Sequence, residues 1–180
     1  MTNELSAYVT NLGRYNEGSL VGEWAAFPMS ESDFAALLER IGVDGKQYEE
    51  WFVTDYDGPV VSNLYDHFGE YPSFKELNRW AERFGELASE DPEKLKAVLS
   101  VAEPTDIENL VNDPYEFDNW RVYPDVFTET ELGYEIAEEL GIAADDSVES
   151  RYFDYRKFGQ DYNIESQNGQ FTKYGYIERV

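Results

Sequence analysis

"ELSAYVTNLGRYNEGSLVGEWAAF", residues 4–27, holds the pattern on which the fold turns. Leu5, Ala7 and Val9 alternate with polar neighbours, and Val21, Trp24 and Phe27 mark a second apolar-bearing run over 20–27. Alternation of this kind marks a half-buried strand, because successive side chains point to opposite faces of a sheet. The intervening "NLGRYNEGS" carries two glycines and two asparagines and reads as a connecting loop. Ser30 or Ser32 then starts a helix whose Phe34, Leu37, Leu38 and Ile41 share one side, with Gly42 as its stop. "QYEEWFVTDY" reads as a third strand, ended by "DGP". Strand, strand, helix and strand within sixty residues make a small α+β unit rather than a repeating βαβ chain.

The pattern changes further on. Ser73 and Glu76 form a capping box for a helix carrying Phe74, Leu77, Trp80, Ala81, Phe84 and Leu87. Asp91-Pro92 is a cap followed by proline at the first helical position, opening a helix through Val101. Thr105 and Glu108 form a further capping box, and "EFDNWRVY" reads as a strand. "TETELGYEIAEELG", 128–141, is an amphipathic helix with Leu132, Ile136 and Leu140 as its apolar stripe, Thr128 or Thr130 as cap and Gly141 as stop. "SVESRYFDYRKFG" reads as one helix, and "QNGQ" as a hairpin turn before a last short strand at "QFTKYGYI". The expected organisation is α+β throughout: an N-terminal α+β domain at 1–60, a helical middle at 61–104 and an acidic C-terminal α+β domain at 105–180.

Charge is the strongest signal. The 180 residues carry a net charge of −24. With 14 tyrosines, 11 phenylalanines and 4 tryptophans the chain can still bury a core, so the charge does not signal disorder. Residues 103–150 hold fifteen acids and a single base, Arg121. An evenly spread acidic coat would not concentrate in this way. Such a surface repels nucleic acid and anionic membranes and favours a basic partner. In the helix at 128–141 the pairs Glu131–Glu135, Glu135–Glu138 and Glu135–Glu139 are like-charge neighbours, each costing roughly 0.2–0.5 kcal/mol.

Other chemistry finds little to build on. There is no cysteine, hence no disulfide and no thiolate. His67 is the only histidine, in "LYDHFGEYP" and without HExxH spacing; it reads as structural or surface, so triads and multi-histidine metal sites lack their material. "TDYDGP" offers Asp55 and Asp57 but neither the third acidic ligand nor the closing glutamate of a calcium loop, so it reads as a turn. The glycines of "NLGRYNEG" and "LVGEW" match neither GxGxxG nor a Walker sequence. No cofactor and no metal are expected. Paired carboxylates for hydrolysis stay open, since any two of 38 acids could meet in space, but nothing singles out a pair. No apolar run approaches a membrane span and "MTNELSAYVTNLG" has no basic or apolar leader region, so the expectation is a soluble cytoplasmic protein.

Two segments carry a resemblance. "YVTNLGRYNEGSLVGEW", 8–24, and "YFDYRKFGQDYN", 152–163, followed by "FTKYGYI", resemble the start and end of the ArdA antirestriction proteins. The order of units between them fits too, so the resemblance spans nearly the whole chain. It implies a non-enzymatic protein of mobile elements and phages that imitates duplex DNA. Such proteins occupy the DNA groove of the methyltransferase core of type I restriction–modification enzymes, and so block both restriction and modification. It also implies an elongated, curved homodimer of three small domains joined through its C-terminal part. On this reading the DNA-imitating carboxylates are Asp106, Glu108, Asp113, Glu116, Asp118, Asp125, Glu129, Glu131, Glu135, Glu138, Glu139, Asp145, Asp146 and Glu149. The dimer contact falls among Tyr152, Tyr155, Phe158 and Tyr174, where Arg151, Arg156 and Lys157 interrupt the acidic field. The competing reading is a generic acidic protein that caps another basic nucleic-acid-binding protein.

Overall fold

The computed structural model describes residues 5–58, 68–142, 148–166 and 168–180, and of residues 148 and 149 the backbone alone. It is α+β, as the alternation and the helical periods require. Contacts divide the chain into two compact units: Met1–Pro92 with Glu103–Asn112, and Glu93–Ala102 with Asp113–Val180.

The first unit is built on an antiparallel sheet of order β2-β1-β3, from β1 (Leu5–Asn11), β2 (Gly22–Phe27) and β3 (Trp51–Asp57). Ala7 faces Ala25 on one side and Tyr56 on the other, and a bulge between Tyr8 and Val9 shifts the β1–β3 register. Helix α2 (Glu31–Arg40) has Ser30 as its cap. Its Phe34 meets Phe27, Trp51 and Phe74, which ties strands and helices into one aromatic core. Helix α3 (Phe74–Glu90) starts at Ser73, whose side chain accepts from the Glu76 N–H, and buries Leu77, Trp80, Ala81, Phe84 and Leu87. Helix α5 (Pro104–Asn112) lies against α3, where the Arg83 Nε donates to the Leu110 carbonyl at 3.1 Å.

Three readings change here. "NLGRYNEGS" is not all loop: residues 12–16 coil into the short helix α1 (Leu12–Asn16). The cause is Asn11, fully buried, whose Oδ1 accepts from the Arg14 N–H while its Nδ2 donates to the Ile41 carbonyl. Helix α5 starts at Pro104, so Thr105 lies inside it rather than capping it. Proline suits the first helical position, where its missing N–H is no loss. Asp106 then reaches back to accept from the Glu103 N–H at 3.0 Å. Asp55 and Asp57 stand on β3 rather than in a turn, and His67 lies outside the described residues.

The second unit has its own antiparallel sheet, of order β4-β6-β5, from β4 (Trp120–Tyr123), β5 (Gln170–Thr172) and β6 (Gly175–Arg179). Helices α6 (Glu129–Glu139) and α8 (Tyr155–Glu165) pack with it around Tyr123, Val126, Leu132, Ile136 and Tyr176. All but the first residue of α4 (Pro92–Leu99) also belongs to this unit, so the helical stretch expected over 61–104 contributes to both.

Four expectations are corrected in this unit. In "EFDNWRVY" only the second half is strand; Glu116–Asn119 forms a 3-10 turn. "SVESRYFDYRKFG" is two helices, α7 (Val148–Tyr152) and α8, because Asp154 takes a non-helical conformation and caps the second through the Lys157 N–H. "QFTKYGYI" is two strands with the turn at residues 173 and 174, so the hairpin turn is not "QNGQ", of which Gln167 lies outside the described residues. Gly175 makes that hairpin possible: its φ is +107°, and a Cβ there would lie 2.0 Å from the Tyr123 carbonyl of the neighbouring strand. Finally, Leu140 is 63% exposed and not part of the apolar stripe of α6. It is the cap residue that follows the last turn of α6, so the period of the helix no longer decides what it packs against.

Candidate partner-binding face

Helix α6 carries the densest row of expected site residues. Thr128 caps it, accepting from the Glu131 N–H, and the Glu131 carboxylate reaches back to the Phe127 N–H at 2.8 Å. The Phe127 N–H first, then the Thr128 hydroxyl, hold the Glu131 carboxyl below its ordinary range. Gly141, at φ +66°, ends the helix. Leu132 and Ile136 enter the core, while Gly133 and Ala137 are buried between them. The outward side is left with Glu131, Glu135, Glu138 and Glu139, all exposed, and no lysine or arginine lies on the helix.

Gly133 and Gly159 decide how α6 is held. A Cβ on Gly133 would sit 1.8 Å from the Tyr155 carbonyl oxygen, and one on Gly159 would sit 1.9 Å from that of Glu129. The backbones of α6 and α8 therefore touch, which only glycine permits at both positions. Beside this crossing the rings of Tyr134 and Tyr155 stack at 3.8 Å and 21°.

The other expected carboxylates divide by environment. Asp113, Asp118 and Asp125 are exposed in the second unit, with Glu129 half-buried and 3.6 Å from Arg156. Asp106, half-buried, and Glu108, exposed, belong to the first unit, so the run 103–150 is shared between the units. Glu116 is different. It is 4% exposed, ion-paired with Arg179 at 2.7 Å and bonded by the Asn119 amide, so its charge is committed to holding β6 to the 3-10 turn. Asp145 and Asp146 lie outside the described residues, as does the Glu149 side chain. Among the four contact candidates Tyr152 is 85% exposed, whereas Phe158 packs on the core and Tyr155 and Tyr174 are half-buried.

One buried acid escaped the sequence reading. Glu178, on β6, is 2% exposed and accepts from the Tyr162 hydroxyl at 2.9 Å and 3.1 Å. The Tyr123 hydroxyl stands 3.5 Å from Glu178 and 3.4 Å from Glu139. Burial first, then those two carboxylates, push the Tyr123 phenol up to about 12. Burial and its bond to Glu178 push Tyr162 up as well. Arg121 faces this cluster: chiefly its contact with Tyr123, then the charges of Glu178 and Glu139, push its guanidinium up. The single base of the acidic stretch thus answers a buried carboxylate.

Several other cations are occupied locally. Arg40 forks onto Glu23 through two bonds, and Lys157 pairs with Asp161, Lys96 with Glu93 and Arg14 with Glu17. Both units carry the excess: twenty-one acids against six bases in the first, seventeen against eight in the second. An open depression of about 420 Å³ in the second unit is lined by Phe127, Thr128, Glu129, Thr130, Arg156, Asn163 and Phe171, with one acid and no histidine. Among the described residues no group of three or more His, Cys, Asp or Glu could hold a metal ion, and no helix is long and apolar enough to cross a membrane.

Fold and face together define an acidic α+β protein with a helix, α6, that presents glutamates and carries no lysine or arginine. The family model described as antirestriction protein (ArdA) matches residues 7–178, and the chain belongs to that family. Membership implies an antirestriction function and an interaction with restriction enzymes. A search of the curated proteins finds no match.

Proposed function

We propose that the protein is a non-catalytic, stoichiometric inhibitor that imitates duplex DNA in the groove of a type I methyltransferase core and so blocks both restriction and modification. The observation that carries this reading is the outward side of α6, four exposed glutamates on a helix that has no lysine or arginine of its own, with Arg121 of β4 acting on Glu139 from the neighbouring strand. Interspersed lysines would relieve the repulsion and cancel the imitation. Duplex DNA carries one charge per about 1.7 Å, so a net −24 corresponds to roughly 12 base pairs per chain. Two chains would double that length of imitation, and we place their contact at the exposed aromatic surface around Tyr152. Such an inhibitor acts in the cytoplasm, where the enzyme meets incoming DNA.

The test is competition. A labelled duplex bound to the methyltransferase core should be displaced by the protein, and the protein's affinity should fall steeply between low and physiological salt. A complex in which duplex and protein are bound together would overturn the reading in favour of a protein that caps a different basic surface. Because many carboxylates act in parallel, neutralising Glu139 alone should change affinity little, and four or more neutralisations should be needed for a clear loss.

A further inference from the structure

A charged row alone does not distinguish arginine from lysine, yet the outward side of α6 contains more than charge. Tyr134 is 54% exposed at its edge, where α6 meets α8. Its ring stacks on Tyr155 at 3.8 Å, and the residue as a whole stays exposed. Glu131 and Glu138 stand three residues before and four after Tyr134, which places them on the same side of the helix about 5–6 Å away at Cβ. Both are exposed. The arrangement is rigid for a surface, because the Gly133–Gly159 crossing holds the two backbones in contact just beside the stack.

We propose that this tyrosine shelf, with Glu131 and Glu138 on either side, is an arginine-selective docking point for the basic partner. A guanidinium is planar and weakly hydrated, so it lies on an aromatic face while forking its N–H groups to a carboxylate. An ammonium is compact and strongly hydrated, and finds the carboxylates but gains little from the ring. Charge complementarity selects a cationic surface as occupant, and the ring selects arginine within it. The inference rests on the basic partner named under the proposed function and adds which of its side chains this face reads.

Calorimetric titration with hexa-arginine and hexa-lysine peptides of equal charge tests it without the enzyme. The quantity read is the ratio of the two affinities in the wild-type protein, in Tyr134→Ala and in Tyr134→Phe. The ratio should favour arginine in the wild type, fall about two- to fivefold in Tyr134→Ala and be retained in Tyr134→Phe, which keeps the ring. A ratio unchanged in Tyr134→Ala, whether both affinities fall together or neither moves, overturns the proposal. The duplex competition is independent of this ratio. Displacement of DNA with no dependence on Tyr134 removes the shelf alone, and a Tyr134-dependent ratio without displacement removes the DNA-imitating reading alone.

Discussion

Glu178 shows what a single carboxylate does when it is not on the surface. Its charge is kept inside by the Tyr162 hydroxyl, with Tyr123 and Arg121 close by. Removing that donor in Tyr162→Phe leaves a buried acceptor short of its partner, and should lower unfolding stability by about 1–3 kcal/mol in urea at neutral pH. The same tyrosines set an alkaline limit. A phenol whose folded pKa is raised above its ordinary value near 10 stabilises the fold fully below that value, and the gain is lost as pH climbs through the raised value. For Tyr123 the window runs from about 10 to about 12. Tyr162 and Tyr176 shift in the same direction. Stability should therefore be flat with respect to these groups up to pH 10 and fall beyond it, with tyrosine absorbance changing together with the loss of structure. Ionisation of all tyrosines near pH 10 with the fold intact would contradict this account. Nothing in composition distinguished Glu178 from the other acids, although its strand parity with Tyr176 pointed inward.

At the scale of elements, glycines separate two kinds of helix. Gly85, inside α3, is exposed and has nothing within 4 Å of a built Cβ, so Gly85→Ala should stabilise by roughly 0.5–1 kcal/mol. Gly159, inside α8, would drive its Cβ into the Glu129 carbonyl, which is backbone and cannot swing away. Gly159→Ala should destabilise by about 1–3 kcal/mol and separate the Tyr134–Tyr155 stack. Opposite signs in one denaturation series would support the close crossing, and equal signs would refute it. Both glycines sat inside helical patterns in the sequence, so their presence was visible. What each touches was not, because a contact between residues on two different helices leaves no mark in either period.

For the whole molecule the governing quantity is charge. Self-repulsion from −24 opposes any association of acidic faces, so two copies can meet only where the field is interrupted. We propose the exposed Tyr152, beside Arg151 in the chain, as that place, with Arg156 and Lys157, each paired with an acid, following on α8. The proposed dimer predicts twice the chain mass by equilibrium sedimentation at micromolar concentration. Tyr152→Asp should return it to one chain without loss of helical dichroism. A wild-type protein that sediments as a single chain would remove the dimer and leave the imitation to one molecule.

The α+β class, most strand positions, the cap at Ser73 and the pairs of candidates that include the caps Ser30 and Thr128 could be read from the sequence because they depend on neighbours within about four residues. The net charge and the cation-free helix were equally direct, since charge needs no fold to be counted. The coil of α1, the burial of Glu116 and Glu178, and the loss of Leu140 from the apolar stripe came only with tertiary structure. The first three depend on groups elsewhere in the chain: Ile41 for Asn11, Arg179 for Glu116, Tyr162 and Tyr123 for Glu178. Local patterns determine which elements form and how much charge they carry. Packing decides which of those charges reach the surface, because burial is settled by what the rest of the chain brings alongside.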